Sequence, residues 1–325
     1  MPHRLDSRRP LPYIDAMPLV FGLVLIFVLF LLSAGFVLLA VGPLILLQPL
    51  RRTAQWYERF TDLLEPADAG LPQENVQLQT HDGLSLSGWL VAQPKRARGT
   101  VLYLHGVGDC KTAGVPLAKL FFDNGYNVFL YDSRRHGDSG GSYCTYGYYE
   151  KFDVSTAINY LIERLGKKVG PVALFGTSMG AAIAIQAAAI DTRIKGVIAE
   201  ASFTDLRTIS VDYQRRIIKL PWHFLRNAAM ARSQKFAKFK ARDVSPLEDV
   251  TRLRIPILFI HGTVDSFINL DYSKMLYHRA REPRELYLVA GANHNDVWEV
   301  AGKSYEDKVL GFLSRALKPP KSRRR

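Results

Sequence analysis

The segment Val172-Ala173-Leu174-Phe175-Gly176-Thr177-Ser178-Met179-Gly180-Ala181 passes from an apolar strand through a G-x-S-x-G turn into an alanine-rich helix. A strand that reverses into a helix within so few residues crowds its own backbone, so the positions flanking the serine must be small and its hydroxyl is lifted clear. Gly176 and Gly180 supply that room. Because such a short spelling also arises by chance, the surroundings carry the argument. Val169 to Phe175 reads as a buried strand, and Met179 to Ala189 has high helix propensity with Ile183 and Ile185 on it.

The rest of the chain beyond Thr100 alternates in the same way. Strands are predicted at Val101 to Leu104, Val128 to Tyr131, Gly196 to Ala199, Ile255 to Ile260 and Leu286 to Val289. Helices are predicted at Val115 to Asn124, Glu150 to Leu165, Leu270 to Arg281 and Tyr305 to Leu317. This pattern implies a mostly parallel sheet with helices on both faces, its site formed by loops at the strand C-termini. Ahead of it, Val76 to Thr80 and Leu84 to Leu90 alternate with period two around His81-Asp82-Gly83, which predicts an antiparallel hairpin.

A serine hydroxyl is a poor nucleophile at neutral pH; it needs a base to take its proton and an acid to hold that base in one tautomer. Both are offered beyond later strands: Asp265 in His261-Gly262-Thr263-Val264-Asp265, and His294 in Ala290-Gly291-Ala292-Asn293-His294. Glu200 and Asp205 compete for the acid's place, and His261 and His105 for the base's. An oxyanion formed at the serine needs two N–H donors. Met179, next after the nucleophile, is expected to give one, and Val107 in the glycine-bearing loop His105-Gly106-Val107-Gly108-Asp109 the other. That loop lacks the third glycine and the lysine of a phosphate cradle.

With Ser178, Asp265 and His294 in that order, the chain resembles the α/β-hydrolase superfamily, in the branch of membrane-anchored hydrolase-domain and serine-aminopeptidase-like proteins. The resemblance extends to Asp132-Ser133-Arg134-Arg135-His136-Gly137-Asp138-Ser139-Gly140-Gly141, similar to a D-x-R-G-x-G-x-S stretch of the family. It also includes Gly147, Glu150 to Asp153 and Glu200-Ala201-Ser202-Phe203-Thr204. Arg135 stands where the family has glycine, which puts the local turn in doubt. The expected fold is an α/β-hydrolase sheet with a helical lid insertion at about 203–245 and an N-terminal transmembrane helix. The resemblance implies hydrolysis of an ester, a thioester or, as in an aminopeptidase or acyl-peptide hydrolase, a peptide bond; a degenerate, membrane-tethered binding module is the non-enzymatic alternative.

From Ala16 to Leu50 no residue is charged, which exceeds the ~20 apolar residues that span a bilayer and predicts tilt or a bend near Gly42-Pro43. A buried core helix and a cleaved signal peptide are the alternatives. Arg4, Arg8 and Arg9 before the run face Arg51, Arg52 and Arg59 after it, so charge bias leaves the side of the membrane undetermined. The expected organisation is a flank (1–17), a single transmembrane helix (18–47), a juxtamembrane linker (48–73), the hydrolase domain (74–317) and a basic tail (318–325). Trp56, Tyr57 and Phe60 of the linker suit a membrane interface.

The formal net charge of +13 is concentrated: between Leu206 and Arg242 ten basic residues accompany one acid, Asp212. Leu206, Ile209, Tyr213, Ile217 and Leu220 recur at helical spacing in this insertion, followed by Pro221, and Trp222, Leu225, Ala229, Phe236 and Phe239 form a second stripe. A basic amphipathic lid of this kind fits an anionic membrane surface, with a membrane lipid or acylated substrate as partner, and equally an ordinary lid with a solvated face. No nucleic-acid partner, organic cofactor or metal is expected; the two cysteines, Cys110 and Cys144, lack metal-ligand spacing.

Overall fold

The computed structural model describes residues 17–215 and 223–318. Its strands are β1 (Glu74–Gln79), β2 (Ser85–Val91), β3 (Thr100–Leu104), β4 (Asn127–Tyr131), β5 (Val172–Thr177), β6 (Ile194–Glu200), β7 (Ile257–Gly262) and β8 (Arg284–Val289). They form one sheet in the order β1-β2-β4-β3-β5-β6-β7-β8. Pairing is antiparallel in the β1–β2 hairpin and between β2 and β4, and parallel from β4 through to β8. The helices are α1 (Met17–Phe36), α2 (Gly42–Leu47), α3 (Ala54–Tyr57), α4 (Val115–Asp123), α5 (Glu150–Leu165) and α6 (Met179–Ala188). After them come α7 (Leu206–Tyr213), α8 (His223–Phe236), α9 (Pro246–Asp249), α10 (Leu270–Arg279), α11 (Val297–Ala301) and α12 (Lys303–Ala316).

Alternation along the central strands divides the core in two, as period-two geometry requires. Leu102 and Leu104 of β3 and Leu174 of β5 pack with α5 and α6 on one face. Val101, Tyr103 and Phe175 pack with α4 and α12 on the other. β5 starts later than its apolar sequence suggests. Gly166 and Gly170 both take positive φ, and the backbone between them makes a short 3-10 turn, so Val169 precedes the strand.

The apolar run is helical from Met17 to Leu47 and long enough to cross a membrane. No residue of α1 is buried. Between α1 and α2 the backbone widens into a π turn, Val37–Val41, whose end is marked by Gly42 N–H bonding to Val37 O. Pro43 explains the irregularity, because its ring cannot donate an N–H and crowds the preceding turn. Pro43 and Leu47 are buried by protein, and Cys144 N–H and Tyr146 Oη donate to Leu47 O and Leu46 O, each at 2.8 Å. Part of the stretch assigned to the transmembrane helix is therefore docked on the domain that carries the sheet. The linker is docked as well: Arg51 donates to Gly137 O and Ser139 O, and Leu71 is in the core.

In the insertion, Leu206 and Ile209 of α7 are buried as the stripe predicts. Ile217, Leu220, Pro221 and Trp222 lie outside the described residues, as does the side chain of Leu225. α8 packs against α2, where a Cβ on Gly42 would sit 3.3 Å from Ala229 Cβ. Residues 1–16 and most of the basic tail are also outside the described residues.

Candidate active site

The corner between β5 and α6 is as tight as its sequence implies. A Cβ on Gly176 would lie 2.2 Å from Gly180 O, and one on Gly180 would lie 2.0 Å from Leu104 O. Both obstacles are backbone, so only glycine fits. Ser178 sits at φ 53°, ψ −115°, a left-handed conformation that costs a non-glycine residue ~1–3 kcal/mol and persists only when its surroundings over-determine it. Its N–H donates to Glu200 O at 2.8 Å, which ties the corner to β6.

Asp265 follows β7 and His294 follows β8, and the two side chains meet: His294 Nδ1 lies 2.7 Å from Asp265 Oδ2. A nitrogen facing a carboxylate carries the hydrogen, which leaves Nε2 with its lone pair free to accept a proton. Asp265 is held from several directions. Its Oδ1 accepts the N–H groups of Phe267 and Ile268, each at 2.8 Å, and His261 Nε2 lies 3.3 Å from Oδ2. Burial pushes the carboxyl upward, but the hydrogen bonds from His261 and His294, the His294 charge and the Ile268 N–H outweigh it and hold Asp265 well below the usual carboxylate range.

The competing residues have other partners. Asp205 caps α7, accepting Thr208 N–H at 2.8 Å. Glu200 Oε2 accepts Tyr305 Oη at 2.6 Å, and burial raises its carboxyl. His105 accepts Ser133 N–H through Nε2 and bonds Gly106 O through Nδ1. His261 bonds Ser273 Oγ at 2.7 Å and Ile268 O at 3.2 Å.

Met179 opens α6, so its N–H has no acceptor within the helix. The loop carrying Val107 comes close by, since a Cβ on Gly106 would be 3.5 Å from Ser178 Cβ. Ser178, His294, Gly106 and Val107 all line one cavity of about 930 Å³. Ser178 Oγ makes no hydrogen bond among the described residues; in unliganded enzymes the serine–histidine bond is often loose and tightens with substrate.

Residues 95–247 match the family model for serine aminopeptidase, S33. The uncharacterised Bacillus subtilis protein YqkD is 31% identical over 234 residues, which cover 71% of this chain and 76% of that one. The chain belongs to the α/β-hydrolases, in the serine-aminopeptidase-like branch. An uncharacterised Escherichia coli K12 protein, YfhR, is similar to this α/β-hydrolase at 28% identity over 253 residues, covering 76% of this chain and 82% of the other. Among solved structures, a Pyrococcus furiosus esterase shares its fold with a TM-score of 0.69 at 24% identity, covering 84% of this chain and 99% of that one.

Two features of this α/β-hydrolase's site were not predicted from sequence. Asn293 Oδ1 accepts Ser266 N–H at 2.9 Å and His294 N–H at 2.8 Å, so one side chain joins the loops that carry Asp265 and His294. Their close approach also requires Gly262, where a Cβ would be 2.3 Å from Ala292 O. The second feature is the linker: Trp56, Tyr57 and Phe60 line the cavity, and Tyr57 Oη donates to Asp109. Burial, then the nearby Asp109 charge, pushes the Tyr57 phenol far up. Aromatic composition suited to an interface gave no means of telling a bilayer from an apolar cleft.

Proposed function

We propose that the chain is a membrane-anchored serine hydrolase cleaving carboxylic ester or thioester bonds of acyl-chain or lipid-like substrates. The observation that carries this reading is the 2.7 Å Asp265–His294 pair, whose histidine lines the same cavity as a serine held in a left-handed corner. In the reaction, Ser178 Oγ bonds to the substrate carbonyl carbon while His294 Nε2 takes the hydroxyl proton. Charge gathers on the carbonyl oxygen, where the Met179 and Val107 N–H groups meet it, each such donor contributing ~3 kcal/mol. The tetrahedral adduct collapses, the bond to the leaving oxygen or sulfur breaks, and His294 hands that atom the proton. Water then adds to the acyl-enzyme, its proton again passing to His294 and from there to the departing Ser178 Oγ. Asp265 stays ionised throughout and stabilises the imidazolium.

The substrate class is supported by the apolar walls of the cavity, by the exposed apolar helix α1 and by the basic insertion. Arg207, Arg215, Arg232, Lys235, Lys238 and Lys240 are exposed there, and each would contribute ~1 kcal/mol beside an anionic membrane. Aminopeptidase activity is the second reading, favoured by the cavity position of Glu200, a carboxyl group that could receive a substrate amine. A fluorophosphonate probe tests the serine: the wild type labels and Ser178→Ala does not, whereas failure to label either points to a binding module. p-Nitrophenyl esters set beside aminoacyl anilides, with Ser178→Ala as blank, then separate esterase from aminopeptidase.

A further inference from the structure

The cavity at Ser178 extends well beyond the reacting groups, and part of its lining comes from an unexpected place. Arg52, Trp56, Tyr57 and Phe60 contribute to it, from the short stretch that directly follows the apolar run. This stretch precedes the residues 95–247 that match the family model. It is fixed at both ends: Arg51 donates to two carbonyls of the Asp132–Gly141 loop, while Leu63 and Leu71 pack in the core. Between those points Tyr57 Oη donates to Asp109, in the loop that carries Val107.

The stretch is also preorganised internally. Trp56 packs against Phe60 with ring centroids 4.9 Å apart, and the Arg52 guanidinium lies 4.0 Å over the Trp56 ring. A further part of the cavity is lined by Leu117, Val297 and Trp298, the last stacked on Tyr305 at 5.8 Å. Polar groups such as Asp109, Glu200 and Asn295 also line the cavity, but the aromatic and aliphatic side chains of this part of its wall favour a chain of methylenes.

We propose that residues 52–60 form a wall of the acyl-chain groove, so that Trp56 and Phe60 help set which chain lengths the enzyme accepts. This rests on the esterase reading, and it assigns substrate specificity to a segment that belongs to the anchor's connection. Burying methylenes against such a wall favours long chains over short ones by a factor that grows with each added carbon.

The test uses the full chain in nanodiscs and p-nitrophenyl esters from acetyl to palmitoyl. Trp56→Ala and Phe60→Ala should each lower the palmitoyl-to-acetyl ratio of kcat/KM by about tenfold or more. An unchanged ratio overturns the proposal, as does an equal loss on both esters. A second measurement does not depend on turnover. Ser178→Ala protein is irradiated with a fatty acid bearing a terminal diazirine, and the labelled peptides are mapped. Label on residues 52–60 and 297–305 supports the groove even if no ester is hydrolysed, in which case it is the esterase reading that fails. Label confined to residues 17–41 overturns the groove.

Discussion

Asp265→Asn is the substitution whose outcome the site geometry specifies most closely. The Asp265 Oδ1 atom accepts two backbone N–H groups, from Phe267 and Ile268, both at 2.8 Å. An asparagine must keep its carbonyl oxygen there, because turning the amide over would set its NH₂ against two donors. Its NH₂ then occupies the position of Oδ2 and points at His294 Nδ1, where the distance in the wild type is 2.7 Å. His294 can satisfy that donor only by moving its hydrogen to Nε2, and a protonated Nε2 cannot accept from Ser178. The equivalent change in a serine protease lowers turnover about 10⁴-fold, or about 5 kcal/mol of transition-state stabilisation, and a loss of that size is expected here. Single-turnover hydrolysis of a p-nitrophenyl ester reads the loss, with circular dichroism and thermal unfolding to verify the fold. A loss under tenfold in folded protein would refute the tautomer argument and remove Asp265 from the acid's role.

Three further predictions concern the scaffold. Gly180→Ala would force a Cβ to 2.0 Å from Leu104 O and should cost about 4 kcal/mol or more, read as loss of soluble or detergent-stable folded protein. Arg135→Gly should stabilise by about 1 kcal/mol and raise Tm by roughly 2–4 °C, because Arg135 holds φ 68°, a left-handed conformation that glycine adopts without strain. Burial, and then the neighbouring His105, lowers His136 from 6.5 to about 3. A depressed histidine favours the folded state fully above 6.5, and that contribution, about 5 kcal/mol, is lost as pH falls toward 3. Thermal unfolding across that window should show the slope, and His136→Asn should flatten it.

What the sequence made legible was local. The elbow, the hairpin and the order of strands and helices depend on spacing within a few residues, and each was found with ends displaced by only a few positions. Asp265 and His294 could be nominated because each follows an apolar strand, where this architecture gathers its loops. The Arg135 turn was in doubt because arginine disfavours positive φ, yet the backbone keeps the conformation glycine would take, held by Arg135 N–H to Gly140 O at 2.8 Å. The contacts that escaped are long-range. Tyr57 and Asp109 are 52 residues apart, and Asn293 meets Ser266 across 27. No periodicity links such pairs.

The same distinction bears on how an anchor of this kind would work. By composition, residues 18–47 form one apolar span, and the residues after it form a tether. In the folded chain the span gives up α2 to the protein, where Pro43 and Leu47 are buried and Ala229 of α8 crowds Gly42. The remaining helical stretch, Met17 to Val41, has a length of about 37 Å at 1.5 Å per residue, against a hydrocarbon core of ~30 Å. That suffices for one tilted crossing without α2. A chain anchored this way would have little slack between bilayer and catalytic domain, because docking begins within the run itself and continues through Arg51 and Tyr57. The cavity, lined in part by the next residues of the same segment, would then keep one orientation toward the membrane. That orientation follows from docking contacts, to which the basic insertion contributes by packing α8 against α2.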